Sequence, residues 1–287
     1  MNPISVIIPL FNKEKSIRTT IQSVLQQTFS NFEIIIVDDG STDNSSAIVH
    51  SIKDKRIKYY YKSNTGVSST RNFGIKVANG QNILFLDADD YLLKNCLETL
   101  LTIKHNNMCD IVTSNFLCLY PDKNESLYAE KYSTGKVVNP YKSMFFNRLL
   151  ITSGNTLFSR DVLLRCSYNE SITRYEDLEL SMRLCAFCSI YSTNIPTFKY
   201  RLMYNELSKP CKDTSKDFLF SLDFKSYNIW GRVLLGKVLY EGISWTYPHE
   251  KEKLLNQYKE YICYYQIYKS YNLLFRIIKK IKKTLWK

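Results

Sequence analysis

The stretch Ile83–Tyr91, ILFLDADDY, constrains the chain most. Four apolar residues in a row read as a short strand buried on both faces, as in a parallel sheet covered by helices. The strand then runs directly into Asp87, Asp89 and Asp90, with Ala88 between the first two. Each carboxylate makes its neighbour costlier to ionise unless a cation lies between them. Oxygen ligands at the end of a strand suit a hard divalent ion such as Mg²⁺ or Mn²⁺, shared with a phosphate. An Asp-rich turn or a helix cap is the alternative, and the remaining sequence has to choose between them.

The upstream residues repeat the pattern. Ile4–Ile8 is an apolar β-type run closed by Pro9, and Ser16 is placed to cap a helix reaching about Gln26. Phe32–Val37 reads as a second strand, ending in Asp38-Asp39-Gly40-Ser41, with a helix beginning at Asp43 or Ser45. Ile57–Tyr61 is a third strand, and a helix follows the Asn64–Gly66 turn as far as about Ala78. Strands alternating with helices predict βαβ units and a parallel sheet, whose ligands bind outside the carboxyl ends of the strands. Pro9–Asn12, Asp38-Asp39 and Asp87–Asp90 should therefore share one crevice, with Arg71 and Asn72 as its basic and polar component. Neither GxGxxG nor GxxxxGK[ST] occurs, which disfavours dinucleotide and P-loop sites.

The net charge of +12 favours anionic partners. Eight cysteines are scattered through the chain without a recognisable leader segment, so a reduced, cytosolic setting is expected. Cys185 and Cys188 form a CxxC with no second pair at zinc spacing, and read as core residues. The three histidines lie outside every motif, which argues against histidine-centred catalysis.

SVIIPLFN (5–12), VDDGSTD (37–43), NTGVSSTRNFGIKVANG (64–80), LFLDADDY (84–91) and YEDLELSMRL (175–184), in this order, resemble family 2 glycosyltransferases. The resemblance implies an α/β GT-A fold: a Rossmann-like nucleotide-binding sheet flanked by helices. It implies an inverting transferase of the non-processive bacterial type, taking a UDP-sugar and using Mn²⁺ or Mg²⁺. Position by position, Pro9 and Phe11 would line the nucleotide pocket. Asp39 would accept a hydrogen bond from uracil, with Asp38 close by, and Arg71 would lie near the base or phosphates. Asp87, Ala88 and Asp89 would form the DxD turn, with Asp89 the direct metal ligand. Asp177 would be the general base, beside Glu176. The chemistry fits these residue types: a diphosphate leaving group needs charge stabilisation, and a sugar hydroxyl needs a carboxylate to take its proton. A solvated helix start is the competing reading of Glu176–Arg183.

Further on, Asp110–Tyr120 reads as β, Leu127–Val138 as a loop or hairpin, Tyr141–Ile151 as a helix and LFSR (157–160) as a short strand. The family resemblance implies that this region faces the acceptor, which makes Gly154 and Asn155 candidates for acceptor contact, with tight turn chemistry as the alternative. Ile190–Tyr204 reads as two strands around Pro196, and Tyr200-Arg201 with Ser208 loosely resembles a segment that closes over the donor in relatives. Residues 1–210 would then form the transferase domain, with 1–110 for the nucleotide-sugar and 111–210 for the acceptor and base. Residues 211–287 would be a helical extension, with helices at Phe218–Tyr240 and Glu250–Tyr271. Tyr261–Lys287 carries seven Lys/Arg and no acid. On a helical wheel Leu274, Ile277, Ile278, Ile281 and Leu285 share an arc of roughly 100° opposite the basic residues. That profile suits a helix lying on an anionic membrane surface, at about 1 kcal/mol per basic residue. Docking on a partner protein or on the enzyme's own core is the alternative, and no nucleic-acid module accompanies the tail.

The expected role is addition of a sugar to a glycan acceptor, lipid-linked, in capsule, O-antigen or lipooligosaccharide assembly. The enzyme would sit in the cytoplasm at the inner face of the cell membrane. A sugar nucleotidyltransferase is the alternative enzyme, but the glycine-rich basic loop it needs after strand one is absent from PLFNKEK (9–15). A non-catalytic nucleotide-sugar-binding subunit is the third possibility. Processive synthases of the family carry a QxxRW motif, absent here.

Overall fold

The computed structural model describes residues 4–122, 124–202, 216–221 and 223–285, with side chains as far as Asn272. The first four strands, β1 (Ile4–Leu10), β2 (Phe32–Asp38), β3 (Ile57–Tyr61) and β4 (Asn82–Phe85), pair in parallel in the order β3-β2-β1-β4. Their connections are α1 (Ile17–Leu25), α2 (Ser45–Ser51) and α3 (Val67–Val77). Alternation along β1 explains why both faces must be covered. Ile4, Val6, Ile8 and Leu10 bury against Ile17, Ile21 and Val24 of α1, while Ile7 joins Ile75 of α3 on the opposite face. Each such side chain taken out of water stabilises the sheet by about 1.5–3 kcal/mol.

Beyond β4 the sheet becomes mixed rather than wholly parallel. β9 (Thr156–Ser159) inserts antiparallel between β4 and β6 (Ile111–Leu119), and β10 (Ile190–Arg201) continues parallel to β6. The two-residue β5 (Tyr91–Leu92) closes the far edge, and β7 (Glu125–Leu127) and β8 (Gly135–Lys136) pair alongside β6 and β10. The helices here are α4 (Cys96–Asn107), α5 (Pro140–Phe145), α6 (Arg160–Arg165) and α7 (Glu176–Leu184).

Several elements differ from the sequence reading. β1 runs through Pro9 to Leu10. Ile7 accepts from Leu86 on the β4 side and Leu10 from Asp39 on the β2 side, so Pro9 faces the β4 side beyond the last pair there and needs no N–H. Residues 190–201 form one strand, with register shifts on either side of Pro196 absorbing the break. The helix expected over 141–151 ends at Phe145, and Asn147 turns the chain at φ +54°.

The helix expected from Phe218 starts instead at Ile229. Asp217 and Asp223 hold two short 3₁₀ turns by accepting from the Leu219 and Lys225 amides, and Asn228 caps α8 (Ile229–Thr246) by accepting from Gly231. α9 (Lys251–Gln257) and α10 (Lys259–Leu285) follow. Val233, Leu234, Leu239 and Ile243 of α8 enter the same apolar cluster as Ile7, Phe85 and Leu180. Arg276, Lys279, Lys280, Lys282 and Lys283 lie on the α10 backbone, but their side chains fall outside the described residues, as do Lys287, Ser208, Lys209 and Pro210.

Candidate active site

The carboxyl ends of β1, β2 and β4 open onto a cleft of about 810 Å³. Its walls include Pro9, Phe11, Asp39, Arg71, Asp87, Ala88, Asp89 and Glu176, brought together from five separate segments. Tyr200, Arg201 and Leu202, at the end of β10, close another side.

Arg71 organises the site. It lies on the second turn of α3, 2% exposed, and its guanidinium fork serves four acceptors. Nη2 donates to Asp87 Oδ1 (2.9 Å) and Ser153 Oγ (3.0 Å), and Nη1 to Glu176 Oε1 (3.0 Å) and Asp177 Oδ1 (3.3 Å). The plane also lies 5.1 Å from the centre of the Tyr168 ring. Burial works against the charge, but Asp177, Asp87 and Glu176 outweigh it and hold the guanidinium pKa well above its ordinary value. Only a planar, multi-donor cation can join acceptors from β4, the 152–155 turn and α7 in this way.

The carboxylates are under the opposite pressure. Burial, then the charges of Asp177 and Asp89, push Asp87 up against the pull of Arg71. Burial and Asp177 raise Glu176. Burial and Asp87 push Asp90 well up, although Asp90 Oδ1 accepts the Arg201 amide at 2.8 Å. The cleft wall sets Asp39, Asp87, Asp89 and Glu176 beside Lys13, Arg71 and Arg201, and a divalent ion would relieve the repulsion among its neighbouring acids. Among the described residues no three acidic, histidine or cysteine side chains gather closely enough to hold a metal by themselves. A metal sharing its coordination between Asp87, Asp89 and ligand phosphates fits this donor set.

Asp177 is fixed from both sides. Tyr168 donates to Oδ1 and Thr152 to Oδ2, each at 2.8 Å. Tyr168 is itself placed by Asn72, whose amide donates to the Tyr168 carbonyl and accepts the Tyr168 N–H, both at 3.0 Å. Glu176 faces the cleft directly, whereas Asp177, 23% exposed at its side chain, stands beside it. Asp39 accepts from the Thr65 and Gly66 amides (2.9 Å each) and from Lys62, which ties the 62–66 loop to the end of β2.

Three of the predicted residues are elsewhere. Asp38 is fully buried and accepts from Ser41 N (2.7 Å) and Tyr59 Oη (2.6 Å), so it braces the β2 end and does not reach the cleft. Asn155 is fully buried; its amide donates to the Ser114 (3.0 Å) and Leu150 (2.8 Å) carbonyls, and its oxygen accepts from Thr152 N. Gly154 holds φ +82° against the Phe198 ring and donates its amide to Phe85 O at 2.7 Å. These two shape the turn, and the neighbours Thr152 and Ser153 are what reach Asp177 and Arg71. Sequence reasoning missed Lys13, Thr152, Ser153 and Tyr168. The only available signal was the proximity of the two hydroxyl residues to the Gly154 turn.

A parallel nucleotide-type sheet, acidic strand ends and an acidic α7 start are the GT-A arrangement, and solved structures agree. The fold superposes on S. aureus TarS 1–349 in complex with UDP-GlcNAc with a TM-score of 0.71, at 18% identity, covering 91% of this chain and 81% of that one. The model of glycosyl transferase family 2 matches residues 5–166, more than half of the sequence, and the chain belongs to that family. It is 46% identical over 105 residues to an uncharacterised glycosyltransferase of Rickettsia bellii, covering 36% of this chain and 15% of that protein. It is 32% identical over 183 residues to the minor teichoic acid biosynthesis protein GgaB of Bacillus subtilis, covering 61% of this chain and 20% of GgaB. The chain therefore spans one fifth or less of the length of these two relatives.

Proposed function

We propose that the chain is an inverting, metal-dependent glycosyltransferase that moves a sugar from a UDP-sugar to a hydroxyl of a cell-surface glycan. The observation that carries this reading is the Arg71 fork, which links the DxD carboxylate Asp87 to Glu176 and Asp177 across one cleft. The UDP-GlcNAc complex of TarS supports the donor class, and the teichoic acid role in the name of GgaB supports the setting.

In this reading the uracil lies against Pro9 and Phe11. Asp39 Oδ2, which accepts one amide from Gly66, takes the base N–H with its remaining lone-pair capacity. Asp89 and Asp87 hold Mn²⁺ or Mg²⁺, which supplies charge neutralisation for the departing diphosphate. Arg71 keeps Asp87 and Asp177 at fixed separation. Asp177 takes the proton of the acceptor hydroxyl as its oxygen bonds to the anomeric carbon and the carbon–phosphate oxygen bond breaks on the opposite face. Thr152 and Tyr168 hold both Asp177 oxygens in place for that transfer.

Residues 1–110 serve the donor, 111–210 the acceptor and base, and 211–287 form a helical extension. Among the described residues no helix is long and apolar enough to cross a membrane. The basic, acid-free end of α10 suits the anionic inner face of the cell membrane, where a lipid-linked acceptor would be presented. UDP release from a panel of UDP-sugars, with Mn²⁺ and with EDTA, tests the reading. Metal-dependent turnover of one donor is expected; no turnover of any donor would refute it.

A further inference from the structure

Phe146, Trp230 and Tyr268, from the end of α5, the start of α8 and the middle of α10, meet at one place on the surface. The Phe146 ring centre lies 6.2 Å from those of Trp230 and Tyr268, and these two are 5.5 Å apart. Phe146 is 41% exposed in spite of these contacts. Basic groups edge the cluster: Lys142 Nζ lies 5.0 Å from the Trp230 ring centre, and the Arg148 guanidinium 5.5 Å from that of Phe146. On α10, Ile267 and Tyr271 stand one turn apart on either side of Tyr268, 66% and 65% exposed. A lone exposed apolar residue needs no explanation, but a contiguous aromatic group with a basic border does.

The segments that build this surface are 139–150, 224–240 and 261–287. They hold twelve Lys/Arg and no acid, so the whole net charge of +12 resides in them and the rest of the chain is formally neutral. Charge segregated in this way favours an extended anionic partner. Counting on from Ile267 and Tyr271 in steps of three and four reaches Leu274, Ile278, Ile281 and Leu285 in the sequence, along one unbroken helix. The apolar stripe of the tail is therefore in register with a face of α10 that is open to solvent at Ile267 and Tyr271, rather than packed on the protein's own core. A second copy could pair along that stripe only by bringing two basic, acid-free helices together, against their mutual repulsion.

We propose that the face made by Phe146, Trp230, Ile267, Tyr268 and Tyr271 docks on an anionic lipid bilayer, so that the folded body binds the membrane together with the tail. This deepens the membrane reading above and rests on it. Aromatic rings with a polar edge suit the headgroup level of a bilayer, and Lys142 and Arg148 stand where lipid phosphates would meet them. Attachment through the body as well as the tail gives the catalytic domain a fixed orientation, which one amphipathic helix at its end would not.

Co-sedimentation of the full chain with vesicles of phosphatidylcholine containing about one third phosphatidylglycerol tests this, with pure phosphatidylcholine as the neutral reference. Lys142→Gln/Arg148→Gln removes two exposed basic groups from the body and leaves the tail intact. Affinity for the anionic vesicles should fall roughly thirtyfold. Ile267→Ser/Tyr271→Ser keeps every charge and should weaken binding by roughly tenfold or more. Lys53→Gln/Lys55→Gln, the same charge change at exposed positions beyond α2, should bind as wild type does. Wild-type affinity in either face variant overturns the proposal and leaves attachment by the tail standing. An equal loss in the Lys53/Lys55 variant, or equal binding to neutral and anionic vesicles, also overturns it. Wild type that binds no anionic vesicle overturns the membrane reading itself and this proposal with it.

Discussion

Replacing Arg71 with Met removes the cation shared by Asp87, Glu176 and Asp177 while keeping much of the side-chain volume. Arg71 is 2% exposed, so these carboxylates would lose their counter-charge in a low-dielectric site. Breaking a buried ion pair from one side costs about 3–5 kcal/mol. For a chain of this size that is a fall in Tm on the order of 10 °C. The pH dependence has a definite sign. Asp87 and Glu176 already have raised pKa values in the folded state, so the native protein binds more protons than the unfolded chain between the ordinary and the raised values. Stability therefore falls as pH rises through that window. Without Arg71 both groups rise further, so the loss is largest above the raised values and shrinks towards the ordinary carboxylate range near about pH 4. Thermal melts of wild type and Arg71→Met at about pH 8 and about pH 5 read this directly. A deficit under about 2 °C at the higher pH, or one that grows on acidification, would refute the reasoning. Arg71→Lys keeps the charge but cannot serve four acceptors, and should fall between the two.

Gly154→Ala drives a Cβ into the Phe198 ring at φ +82°, so urea unfolding should show a loss of roughly 2–5 kcal/mol; wild-type stability would show that the turn relaxes freely. The Ser16→Ala/Thr20→Val pair strips both donors from the buried Ala88 carbonyl. It should raise the Mn²⁺ concentration for half-maximal turnover and lower stability by about 1–3 kcal/mol, leaving UDP affinity in EDTA unchanged. An unaltered Mn²⁺ requirement would show that α1 does not hold the DxD turn.

The apolar strands were legible because both faces of β1, β2 and β4 are covered, so burial left uninterrupted hydrophobic runs ending in acids. The crevice followed from topology alone, since parallel strands deliver their carboxyl ends to one edge. What stayed hidden depends on which way side chains turn once loops cross the sheet. Asp38 and Asp39 are adjacent and chemically identical, yet one points to Tyr59 beneath the sheet end and the other to the 62–66 loop at the cleft. Gly154 and Asn155 drew attention as turn residues, while the plain hydroxyls beside them carry the polar contacts to Arg71 and Asp177. Ser16 stands at the start of α1 but spends its hydroxyl on Ala88, a partner 72 residues away that no local pattern indicates. The late start of α8 has a local cause that could have been read: Asp217, Asp223 and Asn228 are three successive caps.

The assignment of Asp177 as the proton acceptor is the centre of the account, and Glu176 is its immediate rival. With the donor named by the panel, turnover should be measured for Asp177→Asn and Glu176→Gln beside UDP-sugar affinity for each. A missing general base predicts that Asp177→Asn binds the donor as wild type does while its kcat falls by roughly 10²- to 10⁴-fold, with Glu176→Gln losing less. Full turnover by Asp177→Asn, or the larger loss in Glu176→Gln, would contradict it.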